Sequence, residues 1–254
     1  MSAAQHRHDL TDRQWALIEP HLAGRRGRWG RPAHDNRRFI NAVLWVLRTG
    51  APWRDLPPSY GDWKNTHRRF CRWRDQGRWE ALLEILIDEP DFEWLMIDAS
   101  HCKAHAAAAG AAGGNDGIGR NKRGLNTKLH LAVDAHGMPL RLLATAGTRA
   151  DCSQADELID GFSADHLLAD KAYDSNAIVD QARRHGMAPQ IPSRVHRKTL
   201  RKIDTNLYRH RHLVENAFQR LKEWRGLATR YAKRLSSFLA QGLIACLGMW
   251  LKIL

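Results

Sequence analysis

Three acids stand where chemistry could be done. Asp98 closes the apolar run "EWLMID", Asp170 closes "HLLAD", and Glu215 lies in "YRHRHLVENAFQRLK" among Arg209, Arg211, Arg220 and Lys222. A carboxylate at the carboxyl end of a buried strand sits at the edge of a sheet, where open α/β folds gather their ligands. Two such acids and a third from a helix can hold two hard cations through oxygen. A pair of cations clamps the attacking and leaving oxygens of an in-line phosphoryl transfer, and cancels the repulsion between acids and a phosphate backbone. An ion pair with a neighbouring arginine would account for Glu215 as well.

The elements that position these acids are legible from periodicity. At about 100° per residue, Val214, Ala217, Phe218 and Leu221 make one buried helical face. Tyr208, Arg211, Glu215 and Lys222 then fall within about 60° of one another as a polar stripe beside it. "TKLHLAVDAHG" and "MPLRLLATAG" read as a hairpin around a turn that holds Asp134. Asp151 is expected to cap the helix after it, and Asp174 to sit with Ser175 at the start of "SNAIVDQARRHG". "MAPQIPS" is a last short strand, and "AHAAAAGAAGGNDGIGRNKRG" a mobile small-residue linker without a phosphate-loop motif. His101 and His105 lie four apart in "HCKAH" with no third ligand, so zinc is not expected.

Before residue 87 the pattern is helical. Thr11 and Asp12 are cap candidates for "LTDRQWALIEPHL", and "DNRRFINAVLWVLRTG" places Phe39, Val43, Leu44 and Leu47 on one face before Gly50. "KNTHRRFCRWRDQG" sends Phe70 and Trp73 inward and Arg68, Arg69, Arg72 and Arg74 outward. Helices joined by a tight turn, the later one basic, outline a helix-turn-helix module. The reading is a helical DNA-binding domain over 1–90 and an α/β mixed sheet with flanking helices over 91–254.

The 254 residues carry 40 Lys and Arg against 27 acids, a formal charge of +13. The excess is spread over Arg25–Arg31, Arg68–Arg78, Arg120–Lys128, Arg194–Lys202 and Arg209–Arg234, which suggests a polyanion laid along a folded surface. Four dispersed cysteines, with no CxxC, indicate neither a disulfide framework nor a zinc knuckle. "SFLAQGLIACLGMWLKIL" is interrupted by Gln241 and Lys252, so a buried core helix is expected there, not a membrane span.

Taken in order, "LTDRQWALIEPHL", "GRPAHDNRRFINAVLWVLRTGAPWRDLPPSYGDWKNTHRRFCRW", "IDASHCKAH", "NTKLHLAVDAHGMPLR", "LLADKAYDS" and "ATRYAKR" resemble a bacterial insertion-sequence transposase of the DDE class. Tyr208, Arg211, Glu215 and Lys222 match that family's Y-x2-R-x3-E-x6-K signature. The resemblance implies an RNase H-like core, with Asp98, Asp170 and Glu215 as ligands to two Mg2+ ions, or Mn2+. It implies that Tyr208, Arg211 and Lys222 contact phosphates of the element end, with Arg68, Arg69 and Arg72 as further DNA contacts. The expected partners are double-stranded DNA, both the terminal inverted repeats and the target, and further copies of the chain as a homodimer or higher oligomer on DNA. No membrane partner is expected, and the expected location is the bacterial cytoplasm, at the nucleoid. The segment "GRNKRGLNTK" departs from relatives at Lys122 or Arg123, where a second glycine is usual. The short stretch between "QIPS" and Tyr208 leaves no room for a long β-rich insertion. A nuclease that cuts without joining, and a DNA-binding regulator, are the alternative readings.

Overall fold

The computed structural model describes residues 6–22, 35–111, 114, 116–122 and 124–252. The basic stretch Arg25–Arg31 and the departure at Arg123 lie outside the described residues.

Local signals set the N-terminal helices. Thr11 and Gln14 form a reciprocal capping box at the start of α1 (Asp12–Ile18). Asp35 caps α2 (Asn36–Thr49), which ends on Gly50 in the left-handed region at φ 69°. A Cβ there would come within 2.9 Å of the Arg225 Cβ, so glycine is required by both backbone and contact. Asp62 caps α3 (Trp63–Asp75), and α4 (Arg78–Leu86) follows after Gly77.

The sheet is mixed and seven-stranded. Its spine is β1 (Trp94–Ala104), with β2 (Gly119–Asn121) and β3 (Gly124–Val133) following in the chain. β3 runs antiparallel to β1 and makes the expected hairpin with β4 (Pro139–Ala146). β5 (His166–Ala169) lies parallel to the first half of β1, and β6 (Ala188–Gln190) parallel to β5. β7 (Thr229–Arg230) pairs with Lys103 and Ala104 at the far end of β1. The helices α5 (Ala155–Ile159), α6 (Asn176–Arg184), α7 (Thr205–Arg209), α8 (His212–Lys222), α9 (Arg225–Ala228) and α10 (Leu235–Trp250) complete the chain.

Three expectations change. β1 does not end at Asp98. The apolar run ends there, but the backbone continues to pair with β3 from Asp98–Leu131 to Lys103–Asn126, so the strand goes on with a more polar surface. The small-residue stretch is not a plain linker, because its end folds as β2 against β3. The helix expected from Tyr208 to Lys222 is two helices. His210 and Arg211 donate to carbonyls only three residues back, at Leu207 and Tyr208, a tightened turn between α7 and α8.

Side chains alternate along β1 between two cores. Leu95 and Ile97 pack with Leu158, Ile159, Tyr173 and Ile178 from the α5–α6 side. Trp94, Met96 and Cys102 point the other way, into a core that holds Val214, Phe218 and Leu221 of α8 and Phe238 and Ile244 of α10. The same core contains Phe39, Leu47, Phe70, Trp73 and Trp79, so the N-terminal helices and the sheet share one apolar interior. α10 is buried, as expected. Its Gly248 lets the Trp224 ring approach to a point 2.4 Å from where a Cβ would stand. Among the described residues no helix is long and apolar enough to cross a membrane.

A single arginine ties the far end of this assembly together. Arg230 is fully buried. It donates to Thr127 Oγ1 at 2.6 Å and to the carbonyls of Asp116 (2.7 Å), Gly117 (3.2 Å), Ala232 (2.8 Å) and Lys233 (2.9 Å). Asp116 in turn accepts from the Leu235 N–H at the start of α10, at 2.7 Å.

Candidate active site

Asp98 falls on the same side of β1 as Trp94 and Met96, the side covered by α8. Ser100, two residues on, shares it. This parity brings two α8-side cations to the strand. Arg211 donates to Asp98 Oδ2 at 2.8 Å and to Glu215 Oε1 at 3.1 Å, and Lys222 Nζ donates to Ser100 Oγ at 2.6 Å. Asp98 and Arg211 are mostly buried, whereas the Glu215 side chain is about half exposed (53%).

Asp170 stands at the carboxyl end of β5, as its sequence position suggests. Its Oδ1 accepts from the Ala172 N–H at 2.6 Å and caps a single helical turn, Lys171–Tyr173. Its charge reaches the others. Burial raises the Asp98 carboxyl above the ordinary range; Arg211 and the Ala99 N–H oppose this, and Asp170 adds to it. Burial works against the charge on Arg211, but Asp98, Tyr208 and Glu215 outweigh it and hold the guanidinium more firmly protonated than usual. Tyr208, from α7, lies close enough to Arg211 to feel its charge, and its phenol is raised chiefly by burial. Thus five of the residues singled out from sequence, Asp98, Asp170, Tyr208, Arg211 and Glu215, gather where β5 ends beside the middle of β1, with Lys222 beside them.

The donor set is hard oxygen, the kind that Mg2+ or Mn2+ takes. Beside it, Tyr173 Oη and Arg211 Nε are buried with no hydrogen-bond partner among the described residues, which marks a polar site the protein alone does not complete. Among the described residues, no three acid, histidine or cysteine side chains are grouped closely enough to hold a metal ion. At this site Asp98 and Glu215 are instead each bonded to Arg211.

The remaining acids are structural. Asp134 accepts from the His136 and Met138 N–H groups in its turn, at 3.0 and 2.8 Å. Asp151 is not a cap; it pairs with Lys128 at 2.6 Å. Asp174 does not cap α6 either, a task that falls to Ser175. It is buried and receives Arg197 Nε, Arg201 Nε and the Arg194 N–H, each at 2.8 Å. No local pattern announces that clamp, because its arginines lie 20 to 27 residues away. His101 bonds to Asn126 and His105 stacks on Tyr231, 4.5 Å between rings.

The Asp174 clamp gives a pH prediction. Burial alone would raise this carboxyl, but the bonds from Arg197, Arg201 and Arg194 outweigh it and hold the group at about 2, against 3.8 for the free side chain. A depressed acid stabilises the fold above its unfolded value and ceases to do so as pH falls through its folded value. Acid titration of stability should therefore show a loss of about 2 kcal/mol between roughly pH 5 and pH 2 from this group. In Asp174→Asn that component should be missing, and the acid limb of the melting curve correspondingly flatter.

On α3 the expectation is half met. Arg68 and Arg72 are exposed. Arg69 is not turned outward: its guanidinium packs over Phe39 (4.2 Å) and Trp73 (5.1 Å) and bonds to Asn36. Burial there lowers its pKa to about 10. Arg74 is likewise drawn in, to Ser237 and Asp75.

Residues 10–83 match a family model described as a putative transposase of the IS4/5 family, and residues 90–250 one described as a transposase DDE domain. The chain is 38% identical over 130 residues to a putative transposase for insertion sequence element IS6501 from Brucella ovis, covering 50% of this chain and 100% of that protein. An uncharacterized protein y4sN from Sinorhizobium fredii is 44% identical over 103 residues, 40% of this chain and 82% of its own length. An uncharacterized 16.2 kDa protein of insertion element IS402 from Burkholderia cepacia is 34% identical over 110 residues, 39% of this chain and 75% of that protein. Among solved structures, the piggyBac transposase in a synaptic complex with hairpin DNA aligns with a TM-score of 0.51 at 11% identity, over 92% of this chain and 69% of that one. That likeness is one of fold: the RNase H-like mixed sheet flanked by helices.

Proposed function

The chain belongs to the DDE-domain transposase family of bacterial insertion sequences and is an enzyme acting on DNA, and on that premise we propose that it cleaves element ends and joins them to target DNA at Asp98, Asp170 and Glu215. The observation that carries this reading is one guanidinium, Arg211, bound to both Asp98 and Glu215 beside Asp170. A carboxylate of β1 and one of α8 thus share one cation, and the charge of Asp170 at the end of β5 reaches it as well.

Transposases of this family use divalent metal ions. Here Asp98, Asp170 and Glu215 would hold two, Mg2+ or Mn2+, which when bound supply Lewis-acid activation of water, and then of a 3′-hydroxyl, and stabilise the leaving oxygen. The chain's own residues orient and neutralise. β1 fixes Asp98 by pairing with β3, and the Ala172 N–H orients Asp170. Lys222 and Arg211 bring positive charge to the phosphate that these acids would otherwise repel. Tyr208 buttresses Arg211. Exposed Arg68 and Arg72 on α3 suit the backbone of the element end, within the N-terminal helical layer of α1 to α4 that reads the terminal repeat. Arg69 takes no part in this, being packed inside. DNA ends and target are the partners, bound by two or more copies of the chain.

Incubating the protein in Mg2+ with a plasmid carrying its own flanking DNA tests the reading. Cleaved and joined products are expected. Cleavage without joining would make it a nuclease, and binding without cleavage a regulator.

The phosphate contacts give a separate prediction. Arg72→Ala and Lys222→Ala should each reduce the slope of log affinity against log salt by about one unit. Arg69→Ala should leave the slope alone and lower the melting temperature, because it removes a packed cation from two rings. An unchanged slope for Lys222→Ala would count against its contact with phosphate.

A further inference from the structure

The segment joining β6 to α7, residues 194–202 ("RVHRKTLRK"), holds five Lys or Arg and no acid. It is fastened to the turn that follows Asp170. Arg194 donates to the carbonyls of Lys171 (3.1 Å) and Ala172 (2.5 Å). Arg197 and Arg201 grip Asp174 and both reach Asn176 Oδ1, at 3.0 and 2.9 Å. The Arg201 N–H closes the loop on Ser193 Oγ at 2.7 Å. Three of the five cations are thus consumed in anchoring. Lys198 and Lys202 are exposed, and neither has an ion-pair or hydrogen-bond partner among the described residues.

Two apolar side chains stand on the same loop, Val195 at 84% exposure and Leu200 at 71%. They are the two most exposed large hydrophobic residues described. A lone exposed apolar side chain needs no explanation. Two on one short loop, held by three arginines against the turn of a proposed catalytic acid and interleaved with free lysines, form a surface with a definite character. It is an anchored basic rim with apolar points.

We infer that this loop is a DNA wedge. Lys198 and Lys202 take phosphates of the duplex lying across the carboxylates, while Val195 and Leu200 press between its base steps and unstack them next to the bond to be cut. Apolar side chains inserted at a base step, with cations on the flanking phosphates, are a general means of kinking a duplex. A second copy of the chain is the poorer occupant, since it carries the same +13 charge and a basic rim would meet a basic surface. The inference rests on the proposed site, because the duplex must cross Asp170 to meet the loop.

The test uses the full chain and duplexes of its flanking DNA carrying 2-aminopurine at successive positions across the element junction. Fluorescence is read without divalent cations, so no strand is cut. The wild-type protein should raise the signal severalfold at one or two positions beside the cleavage point. The double variant Val195→Ser with Leu200→Ser should bind within about threefold of wild type, since phosphate contacts dominate affinity, yet lose the rise. Lys198→Gln with Lys202→Gln should lower the salt slope by about two units. No rise with wild-type protein, or a rise that survives in the serine variant, overturns the wedge. So does loss of self-association in the serine variant with unaltered DNA signals, which assigns the apolar points to a second copy. Circular dichroism confirms that each variant is folded. If wild-type protein unstacks DNA but fails to cut it in Mg2+, the catalytic reading falls and the wedge stands. If it cuts without unstacking, the reverse holds.

Discussion

Asp98→Asn and Asp170→Asn should each lose Mg2+-dependent cleavage and joining by at least about 1,000-fold while remaining folded and bound to DNA. Both keep side-chain shape and remove the charge that would hold a cation. Affinity for DNA should be unchanged or tighter, as one repulsive charge near the backbone is gone. Glu215→Gln is the discriminating variant. Its carboxylate is half exposed and bonded to Arg211 four residues earlier, a pairing worth a few tenths of a kcal/mol on a helix. If that pairing were its whole role, folding would change slightly and cleavage hardly at all. A loss comparable to that of the two aspartates is expected instead. Asp134→Asn is the control: it weakens a turn by about 1 kcal/mol and should leave the rate per folded molecule intact. Cleavage by folded Glu215→Gln at near wild-type rate would reject its place in the site.

Arg230→Met should cost about 3–5 kcal/mol and lower Tm by roughly 10 °C. The guanidinium is buried, and burial depresses its pKa. It is held by carbonyl and hydroxyl oxygens from three parts of the chain: the turn before β2, strand β3, and the approach to α10. Methionine fills much of the volume but leaves four carbonyls and Thr127 without that donor. Arg230→Lys should recover little, because one ammonium cannot reach five acceptors spread around a planar fork. Thermal melting of the two variants measures this directly. A shift below about 3 °C for Arg230→Met would show that water replaces the lost bonds.

Sequence signals were sufficient wherever the cause is local. The caps at Thr11 and Ser175, the left-handed stop at Gly50 and the hairpin around Asp134 all depend on residues within a turn of one another. Asp170 was legible as the residue after a buried strand, and Glu215 and Lys222 as one stripe of α8, because strand runs and helix faces have fixed periods. What was not legible depends on contacts far apart in the chain. The strand end placed at Asp98 took the end of an apolar run for the end of pairing, whereas pairing is decided by β3. Arg69 reads as an outward cation on a basic helix, and only the rings of Phe39 and Trp73 turn it inward. Asp174 looks like a cap until Arg194, Arg197 and Arg201 arrive from the next loop. β2 and β7 are too short for periodicity to reveal at all.

The interior that the first four helices share with β1, α8 and α10 has a bearing on inheritance. The apolar faces of these helices are covered by residues of β1, α8 and α10, so the helical layer would lose part of its interior without the sheet domain. A copy of the gene with a stop codon ahead of α10 would lose Phe238, Leu243, Ile244 and Leu247 from that interior and should yield a much less stable product. In such a lineage, decayed copies would fall silent instead of acting as dominant repressors of intact ones.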